Sequence, residues 1–250
     1  MSVSAISQVV VSKSEFAPGG VVLIYDPAVE HVGTLLGGLD KDCAAVPAGA
    51  NDICQVLTVL LQSASVHTIH LLGHGAPGGI FFENVFINGT VWGGIARDAA
   101  RDRAPRSVQT INFWSCETGR GEIGMKFLKQ VAESTGATVH GSDGKVGSAE
   151  RGGSWELSRH ASPRPPFSGE AVSAFKGTLS VASFEGTVSE LQALIDGGTD
   201  LTGQFIKIVD GPHAILAAAP ATLSMSNTVE LNSGTTTPIT LDNVMFLTQL

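Results

Sequence analysis

The chain has 250 residues, 43% of them hydrophobic and 15% charged, with a formal net charge of -8. That suits a globular protein with a sizeable core, built as one large domain or as one domain with an appendage. The acidic balance and the lack of any basic stripe exclude a nucleic-acid partner, and no apolar run is long enough for a transmembrane helix, so no membrane insertion is expected.

The N-terminus, MSVSAISQVVVSKSEFAPGG, has neither a basic start nor a continuous apolar core and does not read as a secretory signal. VVLIYD, Val21 to Asp26, is a β-branched run between Gly19-Gly20 and Pro27 and predicts a buried strand. AVEHVGTLLGGL then has helical spacing. CAAVP predicts a second strand, Asn51 an N-cap, and DICQVLTVLLQSA a strong helix. VHTIHLLG is the next strand and stops in a His-Gly pair, His74-Gly75.

GIFF and VFIN, split by Glu83-Asn84, predict a β-hairpin. VWGGIARDAARD reads as a helix, TINFWS as a strand ending at Cys116, and GEIGMKFLKQVAEST as an amphipathic helix. TVHGS is another strand and SWELS a short last one, with Trp155 expected to pack in the core. Strands alternating with helices predict an α/β fold, a mainly parallel sheet with helices on both faces. SPRPPFSGE, Ser162 to Glu170, is rich in proline and has no periodicity, as a linker would be. The expected division is a domain over 1–160, a linker over 161–178 and a small α/β or β-rich appendage over 179–250, where VSELQALIDGG predicts a helix and FIKIVDG a strand. The chain ends in VMFLTQL, apolar and without a polar cap, as a piece of something longer would.

In parallel sheets, sites form outside the carboxyl ends of the strands, where His74 and Cys116 both fall. A thiol attacks as thiolate, and a neighbouring imidazole can take its proton. The backbone N–H groups of Gly75 and Cys116 are placed to form an oxyanion hole. The helix that follows Cys116 would favour the thiolate through its N-terminus. Asp26, at the end of the first strand, is expected to line the site. Cys43 and Cys54 read as small core hydrophobes, and the odd cysteine count argues against a disulfide scaffold.

LLGHGAPGGI, NFWSCETGRGEIG, VHGSDGKVGSAERGGSWELS and the initial VVLIYDP together resemble the caspase-like cysteine peptidases, the clan that includes gingipain, legumain and separase. Residues 21 to 158 resemble more closely a bacterial domain family found near the start of very large surface or secreted proteins. The resemblance implies a caspase-like fold, His74 as base and Cys116 as nucleophile. It implies a self-processing endopeptidase acting on peptide or protein substrates, its own polypeptide among them, with no cofactor. Phe113-Trp114-Ser115 stands where caspases and metacaspases often carry Gln-Ala or Asp-Ser, a departure that bears on the substrate pocket. Asp143, Asp26 and Ser115 are its candidates. An acidic Asp143 would select a basic residue before the cut, with Arg159 and Lys176 as exposed targets. The C-terminal part resembles the α/β repeats of giant bacterial adhesins. The alternative is a catalytically inactive module serving adhesion or protein–protein assembly.

Three other patterns are set aside. Gly73-His-Gly-Ala-Pro-Gly78 satisfies G-x-G-x-x-G, but a hairpin follows where a dinucleotide site needs a helix. HGAPGG resembles a lipase oxyanion loop, yet no G-x-S-x-G elbow exists. His67, His70 and His74 have no carboxylate at ligand spacing, so no metal is expected.

Overall fold

The fold is described from a computed structural model, over residues 19–83, 85–101, 107–157 and 162–180 and over four strands of the C-terminal part. The chain divides into two compact units, Met1–Ser180 and Val181–Leu250.

In chain order the first unit carries β1 (Val21–Tyr25), α1 (Val32–Leu36), β2 (Cys43–Pro47), α2 (Ile53–Gln62), β3 (Thr68–Leu72), β4 (Gly75–Ala76), β5 (Gly79–Phe82) and β6 (Val85–Asn88). It continues with α3 (Gly89–Arg101), β7 (Thr110–Trp114), α4 (Gly121–Thr135), β8 (Thr138–Gly141) and α5 (Gly169–Ala174). Five strands form one sheet in the order β2-β1-β3-β7-β8, and every neighbouring pair is parallel. β4, β5 and β6 form a small antiparallel sheet.

The period-two alternation of the strands sorts the core into two layers. Val22, Ile24, Ile69, Leu71, Ile111 and Phe113 face one side, where α2, α3 and α4 contribute Leu57, Trp92 and Phe127. Leu23, Leu72 and Trp114 face the other, where α1 and α5 contribute Leu35 and Ala171. The strands are apolar on both faces because helices cover both, as a parallel sheet requires. No helix among the described residues is long and apolar enough to cross a membrane.

Local chemistry moves several boundaries. The first helix begins only after His31, whose φ of 62° is left-handed and ends helical propagation toward Ala28. The N-cap of α2 is Asp52 rather than Asn51, and its carboxylate accepts from the Gly49 N–H at 2.8 Å instead of capping forward. SWELS forms no strand: only Ser154 bridges to Val146, and Trp155 packs its ring against Trp114, Phe167 and Phe175.

The largest correction concerns the supposed linker over 161–178. Ser168 caps α5 by accepting from the Ala171 N–H, and Phe167 pairs with Leu39 in an antiparallel bridge. Phe167, Ala171, Phe175 and Leu179 are all buried in the second core layer. Each buried phenylalanine contributes roughly 1.5–3 kcal/mol of transfer free energy, so this stretch is part of the domain core.

The second unit holds β9 (Ser183–Gly186), β10 (Phe205–Ile208), β11 (Thr228–Leu231) and β12 (Met245–Thr248) as a parallel sheet in the order β12-β11-β10-β9. The FIKI strand falls where it is expected; the helix expected in VSELQALIDGG lies outside the described residues.

Candidate active site

The strand order turns back at β1: the chain passes to β2 on one side and to β3 on the other. That reversal opens a crevice at the carboxyl ends of β1 and β3. Register places the residues there. Tyr25 pairs with Leu72 and Leu72 with Trp114. Asp26 follows immediately, and His74 and Cys116 each lie two positions past their paired residues.

Gly75 brings the two loops together. A Cβ on it would stand 2.2 Å from the Cys116 carbonyl oxygen and 2.8 Å from the Cys116 nitrogen, so only glycine fits. After Cys116 the chain turns sharply through Glu117, at φ 58°. Ser115 and Thr118 bond each other through their hydroxyls, and Thr118 donates to the Gly79 carbonyl at 3.1 Å. This brace ties the turn to the small sheet. Ser115 is therefore a buried support and not a pocket wall.

Asp26 is buried and fully engaged, accepting from the Ala28 and Glu83 N–H groups at 2.8 Å each. Its carboxylate acts electrostatically on His74. Burial lowers the His74 pKa, and the Asp26 carboxylate and a backbone hydrogen bond with Ser180 oppose that shift. His74 Nδ1 is buried with no hydrogen-bond partner.

Cys116 is buried, and its sulfur accepts from the Val146 N–H at 3.1 Å. Burial pushes the thiol up to about 11; the Val146 contact and the Ser180 hydroxyl pull it down, and the Glu117 charge adds to the rise. The α4 N-terminus does not supply the expected help, because that helix starts only at Gly121. Desolvation wins, and the resting group is a thiol.

The cleft expected to lie open between these side chains is filled by the chain itself. The Leu179 carbonyl oxygen accepts from the Gly75 N–H at 2.9 Å and from the Cys116 N–H at 3.1 Å. These are the two donors that the sequence marks as an oxyanion hole. Ser180 reaches both side chains, with its hydroxyl toward the Cys116 sulfur and its backbone toward His74. A small surface hollow lined by Leu61, Ala96, Ala99, Val108, Ser134 and Thr135 contains none of these residues.

The remaining candidates fall outside the centre. Asp143 is exposed on the loop after β8, close to the turn, since the Glu117 N–H donates to the Gly144 carbonyl. His70 is a core histidine: its Nδ1 accepts from Trp114 Nε1 at 2.9 Å and lies 3.3 Å from Asn112 Nδ2. His67 is exposed beside Thr68. Among the described residues no three His, Cys, Asp or Glu side chains converge as metal ligands. Sequence reasoning missed Val146, Gly147 and residues 177–180. Apart from the Ser180 hydroxyl they make their contacts through backbone groups, and FKGTLS carries no side-chain signature that could have announced them.

A family model described as "Domain of unknown function (DUF4347)" matches residues 21–179. No curated protein matches the chain.

Proposed function

The chain belongs to the DUF4347 family, and we propose that its first unit is a caspase-like cysteine endopeptidase, with Cys116 as nucleophile and His74 as base, that processes the polypeptide carrying it. One observation carries the reading: two backbone N–H groups, one of them on the cysteine itself, converge on a single peptide carbonyl oxygen. Donors so placed stabilise the negative charge that develops on a carbonyl under attack.

The electrostatics favour one order of events. The thiol is protonated at neutral pH, and the imidazole, its pKa lowered by burial, is neutral. His74 therefore takes the proton as sulfur attacks, and no resting thiolate–imidazolium pair is needed. Asp26 stabilises the imidazolium that results. The buried Nδ1, which no other group engages, is free to take a proton.

A second reading, a non-catalytic module for adhesion or assembly, draws on the full burial of Cys116 and its raised pKa. Covalent labelling separates the two. A panel of peptidyl electrophiles should modify Cys116 ahead of Cys43 and Cys54, both in the native chain and in Gly147→Ala, which loosens the covering segment. His74→Ala should remove that preference. Equal labelling of the three thiols, indifferent to His74, would leave only the non-catalytic module.

A further inference from the structure

Resting on the peptidase reading above, we propose that the scissile bond is the chain's own Leu179–Ser180 bond and that the buried Leu179 side chain selects it. The backbone holds this stretch as a substrate would be held. Ser148 N–H donates to the Gly177 carbonyl at 2.8 Å, Leu179 N–H donates to the Val146 carbonyl at 2.8 Å, and Gly147 pairs with Thr178 antiparallel. Strand addition of this kind fixes an extended peptide by main-chain bonds and leaves specificity to alternate side chains. Gly147, at φ 133°, makes the approach possible: a Cβ there would stand 2.6 Å from the Gly177 carbonyl oxygen.

The side chains alternate accordingly. Thr178 and Ser180 bond each other through their hydroxyls at 2.8 Å. Leu179 is fully buried in the apolar layer with Trp114, Val146, Leu157 and Phe175. An ionised residue at 179 would be buried without a partner. This replaces the expected basic selection. Asp143 is exposed, and Lys176, three positions upstream, holds its ammonium on Glu150 at the surface. Arg159 lies outside the described residues.

The chemistry balances on these groups. Sulfur bonds to the Leu179 carbonyl carbon while the thiol proton passes to His74. The carbon–nitrogen bond then breaks, and His74, which already bonds the Ser180 backbone, returns that proton to the departing Ser180 nitrogen. Water adds to the thioester with His74 as base. The carbon–sulfur bond breaks, leaving a Leu179 carboxyl group and the free thiol. The cut divides residues 1–179 from 180–250, at the end of the matched family span and next to the boundary between the two compact units.

Intact-mass spectrometry of the incubated chain, with Cys116→Ala as the uncut reference, tests the assignment. Fragments ending at Leu179 and beginning at Ser180 are expected. Leu179→Met should cut within about 10-fold of the native rate and Leu179→Asp at least about 100-fold more slowly. If Leu179→Asp does not melt cooperatively, the fragment map of the native chain decides alone. Cys116-dependent cutting after Lys176 or any other residue overturns the assignment and leaves the peptidase reading intact. So does electrophile labelling of Cys116 in a chain that never cuts itself. An uncut chain with an inert Cys116 overturns both.

Discussion

Two polar clusters sit on the same face of the same two strands. In the middle of the sheet, His70 on β3 meets Asn112 and Trp114 on β7. Just past the strand ends, His74 meets Ser180, which also touches Cys116. The first cluster joins side chains of one sheet, with the Asn112 Oδ1 as its one buried atom without a hydrogen bond among the described residues. His70 Nδ1 takes its hydrogen bonds from its own sheet, and burial lowers its pKa to about 4, which fixes a neutral ring. The second is completed by a third segment, and one imidazole nitrogen has no partner. The same residue type thus serves packing where the ladder satisfies it and is left available where the ladder stops.

Removing the covering segment should break both clusters at once. Phe167, Phe175 and Leu179 cover Trp114 and Cys116 in one apolar layer. A chain ending at Ser162 should lose its cooperative thermal transition, and one ending at Ser180 should keep it. A sharp melt from the shorter chain would mean that the segment is an accessory to the core.

Single substitutions should then separate packing from availability. Trp114→Ala removes a fully buried indole and the donor to His70, and should cost about 3–5 kcal/mol in urea denaturation. His74→Ala removes a smaller ring whose Nδ1 bonds nothing, and should cost less stability than Trp114→Ala while self-cleavage stops. Comparable losses from the two would erase the distinction.

The clusters should also differ in their answer to acid. The folded pKa of His70 lies below the ordinary value of 6.5, so above pH 6.5 the ring is neutral in both states and costs nothing. As pH falls from 6.5 toward 4 the unfolded chain binds a proton that the folded chain refuses. Stability declines through that window by roughly 3 kcal/mol and levels below it. His70→Gln should remove that part of the slope in denaturation curves taken across the window.

The smallest effect expected is on reactivity. Gly147→Ala forces the 177–179 segment away and should raise iodoacetamide labelling of Cys116 about 5-fold. Cys43, pushed up to about 12 mainly by burial, should not respond. Equal acceleration at both thiols would indicate general loosening instead of an uncovered site.

Much of this was legible in the sequence because local and pairwise chemistry carries it. β-branched runs punctuated by glycine and proline mark β1, β3 and β7, and helical periodicity marks α2 and α4. Alternation with helices dictates a parallel sheet, and a parallel sheet dictates a site at the strand ends. That placed His74, Gly75 and Cys116 together. Tertiary structure alone decided what fills the site. Phe167 sits in a proline-rich stretch with no period and Phe175 just past a six-residue helix, so their burial depends on the layer they complete. The contacts of Gly177 and Leu179 are carbonyl and N–H groups, which every residue possesses and no sequence pattern reports. Nor does the sequence report that Leu179 is buried in the second layer while Asp143 is exposed, because the depth of a side chain is a property of the packed fold.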